Sequence, residues 1–364
     1  GVAFHRSFPP GAGPNNTVFA LAKAPNGSIL VAGDFTTYNG AAHNRLVLIR
    51  QDGSPDTTFN AGAGPNAAVR CMAYDSEGKL IIGGSFTTVS GVNRGRIAKL
   101  NASGSVDIAF AAGTGADGAI RAMALQGDKI YIGGEFQNYD DSSLKRIARL
   151  NNDGTVDPYF FTGTGANAAV NFILPLADGS VIVAGGFTTF NGQPRGGIAK
   201  LNDDGSLDSE FAAAGGSDGV VSSVIRLPDG KFLIAGDFEA YEGEIRFRVA
   251  RLLPDGSLDD TFYPGSGADS EVLAMVVLPD GKPFVGGSFQ HFNGTEAGRL
   301  MRLAVNGVAE PAFINGPGAD GTVHALLVLD DGKVMVGGQF STFNGADRSR
   351  LLRLNSNGSQ DVGF

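Results

Sequence analysis

The chain has 364 residues, is 42% hydrophobic and only 18% charged, and carries a formal net charge of −9. That profile excludes intrinsic disorder, and without a Lys/Arg-rich run it leaves no cationic footprint for nucleic acid. No apolar run reaches the roughly 18 residues of a membrane span, and Cys71, the single cysteine, has no partner for an intrachain disulfide.

In chain order, a short first segment ends at Phe8, the first of eight phenylalanines spaced 50 or 51 residues apart: Phe8, Phe59, Phe110, Phe160, Phe211, Phe262, Phe313 and Phe364. A second series ends a [Gly/Ala]-Gly-x-Phe signature seven times, at Phe35, Phe86, Phe136, Phe187, Phe238, Phe289 and Phe340. A fixed period of this size marks a repeat architecture. Residues 62 to 110 read as one unit. A Gly-rich loop leads to an apolar run at Val69 to Tyr74 (strand A), and a Gly turn leads to Leu80 to Phe86 (strand B). A longer polar loop then leads to Ile97 to Leu100 (strand C), and a second Gly turn to Asp107 to Phe110 (strand D). Asp-Gly and Asn-Gly pairs recur between A and B and between C and D, as at Asp178-Gly179 and Asp153-Gly154, and read as two-residue type I′ hairpins. No stretch shows a helical period.

Four antiparallel strands repeated radially describe an all-β, seven-bladed β-propeller occupying residues 1–364 as a single domain. The strand-D segment is duplicated at 1–8 and 357–364, so the ring is expected to be closed by a terminal strand, with one copy in surplus. Gly1 in place of an initiator Met reads as a processed or trimmed chain.

Function is sought on the face carrying the B–C and D–A loops, which are longer than the opposite turns. Three rings stand out. The D–A loop places an amide or carboxylate in every unit: Asn15, Asn66, Asp117, Asn167, Asp218, Asp269 and Asp320. These form either local Asx turns or a polar rim for a cation or sugar hydroxyls. Three residues after the signature Phe stand Tyr38, Tyr139, Phe190, Tyr241, Phe292 and Phe343, with Val89 as the exception; they are plugs between blades or stacking platforms for sugar rings. Strand C opens on Arg45, Arg96, Arg146, Arg248, Arg299 and Arg350, with Gly197 breaking the series. The acid three residues before each strand-D Phe, such as Asp107 or Asp259, is a candidate structural ion-pair partner for this arginine ring; the alternative is that the ring binds an anion.

Catalytic chemistry has no signature. The four histidines occupy unrelated repeat positions, so neither a metal cluster nor a triad follows. His324 follows the first residue of strand A, where other units carry Phe19, Arg70, Arg121, Asn171, Ser222 and Leu273. A position that changes from blade to blade fits a channel lining or an asymmetric ligand site. Departures from the repeat, including Glu135, Asp140, Glu242 and Glu271, are the acids an enzyme could use. Asn151-x-Asp153-Gly154-x-x-Asp157 has an oxygen-rich calcium look, but Asn101-Ala102-Ser103 lacks ligands at the matching place, so no cofactor is expected.

The run Leu-Asn-x-Asp-Gly-Ser-x-Asp-x-x-Phe at 201 to 211, with Leu-Pro-Asp-Gly-Lys continuing to Gly-Gly-x-Phe at 278 to 289, resembles the Delta-60 repeat. That resemblance covers the whole chain and implies a bacterial secreted or surface β-propeller, without assigning an activity. The resulting expectation is a non-catalytic extracellular recognition or adhesion module that binds a glycan or protein at a cell surface. The alternatives are a carbohydrate-active enzyme with an acidic site on that face, and an assembly subunit that uses the duplicated terminal strand.

Overall fold

The computed structural model describes residues 13–212, 215–314 and 316–364. Phe8 and the rest of the duplicated segment at 1–8 lie outside the described residues. Seven three-stranded antiparallel sheets follow one another along the chain, each in the order A-B-C. In the second blade these strands are Val69–Tyr74, Leu80–Gly84 and Ile97–Leu100. Strand B is buried from end to end in every blade but for one end residue in two of them. Its unbroken apolar runs therefore face a neighbouring blade on both sides. The A strands are innermost, and each packs on the next around a closed circle, the last (Val323–Val328) against the first (Val18–Lys23).

The fourth strand is reduced. It pairs with strand C through a single bridge, such as Leu100↔Val106 or Leu354↔Gln360. The cause is the aspartate that follows. Asp107 Oδ1 accepts from Ala109 N at 3.0 Å and Asp157 Oδ1 from Tyr159 N at 3.0 Å, which turns the chain before a ladder can form. The A–B and C–D turns also differ from the expected type I′ form. In all but one of them only the closing glycine takes a positive φ, as at Gly27 (81°) and Gly53 (77°), which gives a type I turn closed by a left-handed glycine. The preceding Asp or Asn accepts from the backbone two residues on, as in Asp52 Oδ1 from Ser54 N at 2.9 Å. The third blade's A–B turn is instead a two-residue hairpin, Gly127-Asp128, with Gly127 first at φ 58°. The type I′ form lies elsewhere, in the B–C loop, where Asn39 (φ 50°) and Gly40 (φ 79°) join two-residue strands at Thr37–Tyr38 and Ala41–Ala42.

Each strand-D phenylalanine among the described residues leaves its own blade and fills the next. Phe59 packs with Leu80, Ile82, Phe86 and Val89 of the second blade. Phe110 and Phe160 repeat this in the third and fourth. Phe364 packs against Ile29, Val31, Phe35 and Tyr38 of the first blade. The C-terminal segment thus stays paired with its own strand C while its last side chain closes the ring. After the phenylalanine the chain bonds to the next blade's C–D turn (Asn60 N to Ser103 O, 2.7 Å) and then reaches that blade's B–C hairpin (Pro65↔Val89). The D–A connection therefore climbs the outer edge of the next blade and is not confined to one face.

In the third to seventh blades a cation from strand C pairs with the acid beside the plug; the first blade has Leu48 at that position, and Lys99 of the second pairs with Asp75. Arg251 Nε reaches Asp259 at 2.7 Å, Arg251 Nη1 donates to Val305 O of the next blade at 2.7 Å, and the guanidinium lies 5.0 Å from the Phe262 ring centre. Arg149 with Asp157 and Phe160, and Arg353 with Asp361 and Phe364, repeat the unit, and Arg353 Nη1 bonds to Gln51 O across the ring closure. A lysine near the A–B turn adds a second partner, as in Lys231–Asp259 at 2.8 Å and Lys333–Asp361 at 2.9 Å. These acids are the ones expected to form structural ion pairs, but their partners lie within strand C and beside the A–B turn. The arginines that open strand C are engaged differently, as described below.

Replacing a buried phenylalanine by alanine in a packed core costs roughly 3–5 kcal/mol. Phe364→Ala is expected to lower the urea midpoint accordingly and to speed limited proteolysis between the first and last blades.

The acids give a pH dependence. Burial alone would raise the Asp259 carboxyl, but hydrogen bonds from Lys231, Thr261 and Arg251 outweigh it and hold the group well below the usual carboxylate range. Asp157 and Asp361 are depressed against the same opposing burial, by bonds from Lys129, Tyr159 N and Arg149 and from Lys333, Gly363 N and Arg353. A depressed folded-state value means that the unfolded chain binds more protons, so this stability is complete above about pH 4 and is lost as pH falls further. Urea midpoints measured from pH 7 to pH 2 should be flat at first and then drop below about pH 4. Asp259→Asn should lose roughly 3–5 kcal/mol at pH 7 and show a shallower acid limb.

Candidate ligand site at the channel mouth

The aromatic ring is not a binding surface. Tyr38, Tyr139, Phe190, Tyr241, Phe292 and Phe343 are all 0% exposed, as is Val89. The climbing D–A segment covers them, and the Tyr38, Tyr139 and Tyr241 hydroxyls donate to the C–D turn carbonyls of Gly53, Gly154 and Gly256 at 2.7, 2.9 and 2.6 Å. Stacking of sugars on this ring is therefore corrected to interior packing.

The D–A ring holds the neighbouring loop in place. Asn66 Oδ1 accepts from Thr87 N and Thr88 N at 2.9 and 3.1 Å, and Asp117, Asn167, Asp218 and Asn15 make the same pair of bonds to their own B–C loops. Asp320 does so through Ser341 N and Thr342 N, and Asp269 through Gln290 N, with the His291 ring on its other oxygen at 2.9 Å. These are contacts over 21 or 22 residues and not local Asx turns. Burial alone would raise Asp320, but the Ser341 hydroxyl and the loop amides pull it down to about 2.

The arginines that open strand C share a left-handed backbone, with φ between 62° and 71°, and Gly197 stands in the series at 68°. The break in the arginine ring is thus a residue that adopts this conformation freely. Arg96, Arg146 and Arg299 donate to Ala116, Ala166 and Ala319 carbonyls of the next blade at 2.7 Å each.

What remains is the start of strand A. In all seven blades the register shifts there by one residue. Val69 and Arg70 together face Gly84, then Cys71 faces Gly83. Arg70 is the extra residue of a β-bulge, a device that re-aims a side chain. Its counterparts are Phe19, Arg121, Asn171, Ser222, Leu273 and His324, and all seven line the mouth of the central channel. The signature glycine makes the bulge possible. A Cβ on Gly84 would sit 2.1 Å from Ala68 O, and one on Gly33 would sit 2.0 Å from Thr17 O. The same carbonyl accepts from the following amide, Ser85 N at 2.9 Å and Asp34 N at 2.9 Å.

The mouth encloses about 170 Å³ and joins a channel cavity of about 330 Å³. Arg70 lies 4.9 Å from the Phe19 ring centre, and Phe19 meets the His324 ring edge-on at 5.4 Å. Arg121 pairs with Glu135. Two buried atoms in this collar, Asn171 Oδ1 and His324 Nε2, have no hydrogen-bond partner. Burial and the Arg70 charge lower His324 to about 4 against a bond from Gln339 that raises it, so the imidazole is neutral at pH 7. Glu271 lines the same mouth, and burial followed by the Asp237 charge raises its carboxyl. His324 was singled out from sequence; Glu271 appeared only among the irregular acids. Among the described residues no cluster of His, Cys, Asp or Glu is arranged to hold a metal ion, and no helix is long and apolar enough to cross a membrane.

A family model described as a β-propeller domain of unknown function, DUF5122, matches residues 24–59, 76–110, 126–160, 176–211, 227–262, 278–313 and 329–364. The chain belongs to the DUF5122 β-propeller family. Every collar residue lies outside those seven spans, which contain strands B and C, the signature glycines and the plug phenylalanines. No curated protein matches the chain. Among solved structures, the WD40 β-propeller domain of Doa1 is similar at 15% identity and a TM-score of 0.62, with 95% of each chain covered. An extracellular domain assigned to a hybrid two-component system of B. thetaiotaomicron is similar at 15% identity and a TM-score of 0.59, covering 94% of this chain and 40% of that one. Virginiamycin B lyase of Staphylococcus aureus is similar at 13% identity and a TM-score of 0.54, covering 93% and 94%. At these identities the likeness is one of fold.

Gly84→Ala should remove the bulge or displace the Ala68 carbonyl, at a cost of roughly 1–3 kcal/mol. A urea titration checks the loss, and Gly78→Ala at an exposed turn, strained only by its positive φ, is the comparison variant.

Proposed function

We propose that this propeller is a non-catalytic extracellular recognition domain that binds its ligand in the channel mouth. The observation that carries the reading is the contrast between frame and collar. Seven blades agree at the signature glycine and the plug, and six of the seven are aromatic at the covered position, yet the bulge residue is Phe, Arg, Arg, Asn, Ser, Leu and His in turn. Packing alone favours the same residue at equivalent positions, whereas an asymmetric ligand calls for different ones. Unpartnered buried atoms at Asn171 and His324 support the same reading, since such groups are costly without a partner. The Delta-60 resemblance and the extracellular sensor domain of similar fold favour a place outside the cell. A glycan or protein at a cell surface would be recognised here by hydrogen bonds and charge, because the aromatic ring is covered. A two-carboxylate hydrolase needs a facing pair of acids. Glu271 lines the mouth, and its neighbour Asp237 is held by Arg248 at 3.6 Å.

The test is a thermal-shift screen of monosaccharides, oligosaccharides, amino acids and short peptides. It compares the intact chain with a variant carrying Arg70→Ala, Asn171→Ala and His324→Ala. These side chains sit at the cavity, so the variant should keep its stability to within about 1 kcal/mol and lose the ligand-induced shift. Ligands that stabilise both proteins equally, or a screen without any ligand, would remove the channel mouth as the site.

A further inference from the structure

The collar is electrically lopsided. Arg70 and Arg121 stand on adjacent blades. Arg121 has its carboxylate, with Nε 3.1 Å and Nη2 2.5 Å from Glu135 Oε1. Arg70 has none within ion-pair distance among the described residues; its polar contact is a long one, Nε to Ser85 Oγ at 3.4 Å. Burial is the main destabiliser of the Arg70 charge, and the Arg121 charge is the next. A guanidinium cannot shed its proton near neutral pH, so both positive charges stand at the mouth, with the Glu135 and Asp34 charges partly offsetting that of Arg70 from beyond ion-pair distance.

Acceptors face these cations. Asn171 Oδ1 is buried and unpartnered on the blade next to Arg121. Glu271 belongs to the sixth blade, which in a seven-membered ring lies across the channel from the second and third. Its Oε1 is 3.4 Å from Ser222 Oγ. In the other blades the position before the first strand-A valine or isoleucine holds Thr17, Ala68, Ala119, Ala169, Val220 or Thr322, so Glu271 is the one charge in that series.

Resting on the channel-mouth reading, we infer that the ligand is a small carboxylate bearing hydrogen-bond donors. Its carboxylate lies between Arg70 and Arg121, and its hydroxyl or ammonium groups point toward Asn171 Oδ1 and Glu271. The anion relieves the unpaired guanidinium through charge-assisted, fork-like bonds, and the donors satisfy the acceptors opposite. The volume of the mouth and the cavity it joins suits one amino acid or one sugar acid.

Isothermal titration calorimetry on the full chain tests this with two panels, free amino acids and hexuronic acids, each member beside its carboxamide or methyl ester. The expected result is binding by a member of one panel and loss of binding by its neutral counterpart. Arg70→Gln should weaken the acid by at least about tenfold, with Arg70→Lys between the two and circular dichroism unchanged. Glu271→Gln should weaken an amino acid, whose ammonium it faces, more than a hexuronic acid, which separates the two sources. Equal affinity for acid and ester, indifference to Arg70→Gln, binding of inorganic phosphate alone, or no binding by either panel would overturn the inference. A neutral ligand lost on substitution of Asn171 and His324 would overturn it while leaving the channel mouth as the site. A carboxylate that binds regardless of all collar substitutions would overturn both.

Discussion

The interaction on which the molecule depends is the insertion of a phenylalanine from the end of one blade into the body of the next, held in five of the seven blades by a strand-C cation paired with the acid beside it. In three blades, through Arg149, Arg251 and Arg353, the cation makes three contacts at once: an ion pair to the aspartate of its own D segment, a bond to the next blade's C–D turn, and the face of the plug ring. A buried Phe is worth roughly 1.5–3 kcal/mol of apolar burial, and a cation over its face adds about 0.5–1 kcal/mol or more when desolvated. Because the plug always points forward, each blade is completed by its predecessor. The last blade completes the first through Phe364, and the bond from Arg353 to Gln51 O crosses the same seam. No exchange of a whole strand is needed.

Much of this was legible as spacing. The period of the two phenylalanine series gives the blade number and the all-β class, and the surplus of one series over the other marks a closing segment. What spacing could not show is direction and reach. Asp-x-x-Phe has the composition of a strand end, but its aspartate caps backbone amides and bends the chain, which leaves a plug in place of a fourth ladder. The aromatic ring at Tyr38, Tyr139 and Tyr241 has the period of a platform, yet its fate depends on the preceding blade's D–A segment, more than 20 residues away in sequence. The arginines that open strand C looked like partners for the D-segment acids; from a left-handed backbone Arg96, Arg146, Arg299 and Arg350 reach the next blade's carbonyls instead, and Arg45 and Arg248 lie beside Asp34 and Asp237 of their own blades.

The collar shows a subtler limit. Its variability is visible in the sequence, from Phe19 to His324, but a bulge is a property of two strands and cannot be read from one. The usable signal is the invariant second glycine of the signature. Its hydrogen leaves room for a carbonyl about 2 Å from where a Cβ would stand, so the strand beside it gains an extra residue. That extra residue projects into the channel while its neighbours, Val69 and Cys71 in the second blade, remain buried. Frame and reading surface are thereby carried by different atoms of the same short strand.

The bulge also bears on how such a protein diversifies. A side chain that belongs to no ladder pair, and that meets its neighbours across blades only at the channel mouth, can be exchanged with little repacking of the blades behind it. Seven such places around one opening form a combinatorial array. Randomising residues 19, 70, 121, 171, 222, 273 and 324 together leaves the scaffold's cohesion in the hands of other residues. New binding specificities can then be drawn from a single backbone, much as loop libraries are drawn from an antibody, but on positions fixed by a β-sheet.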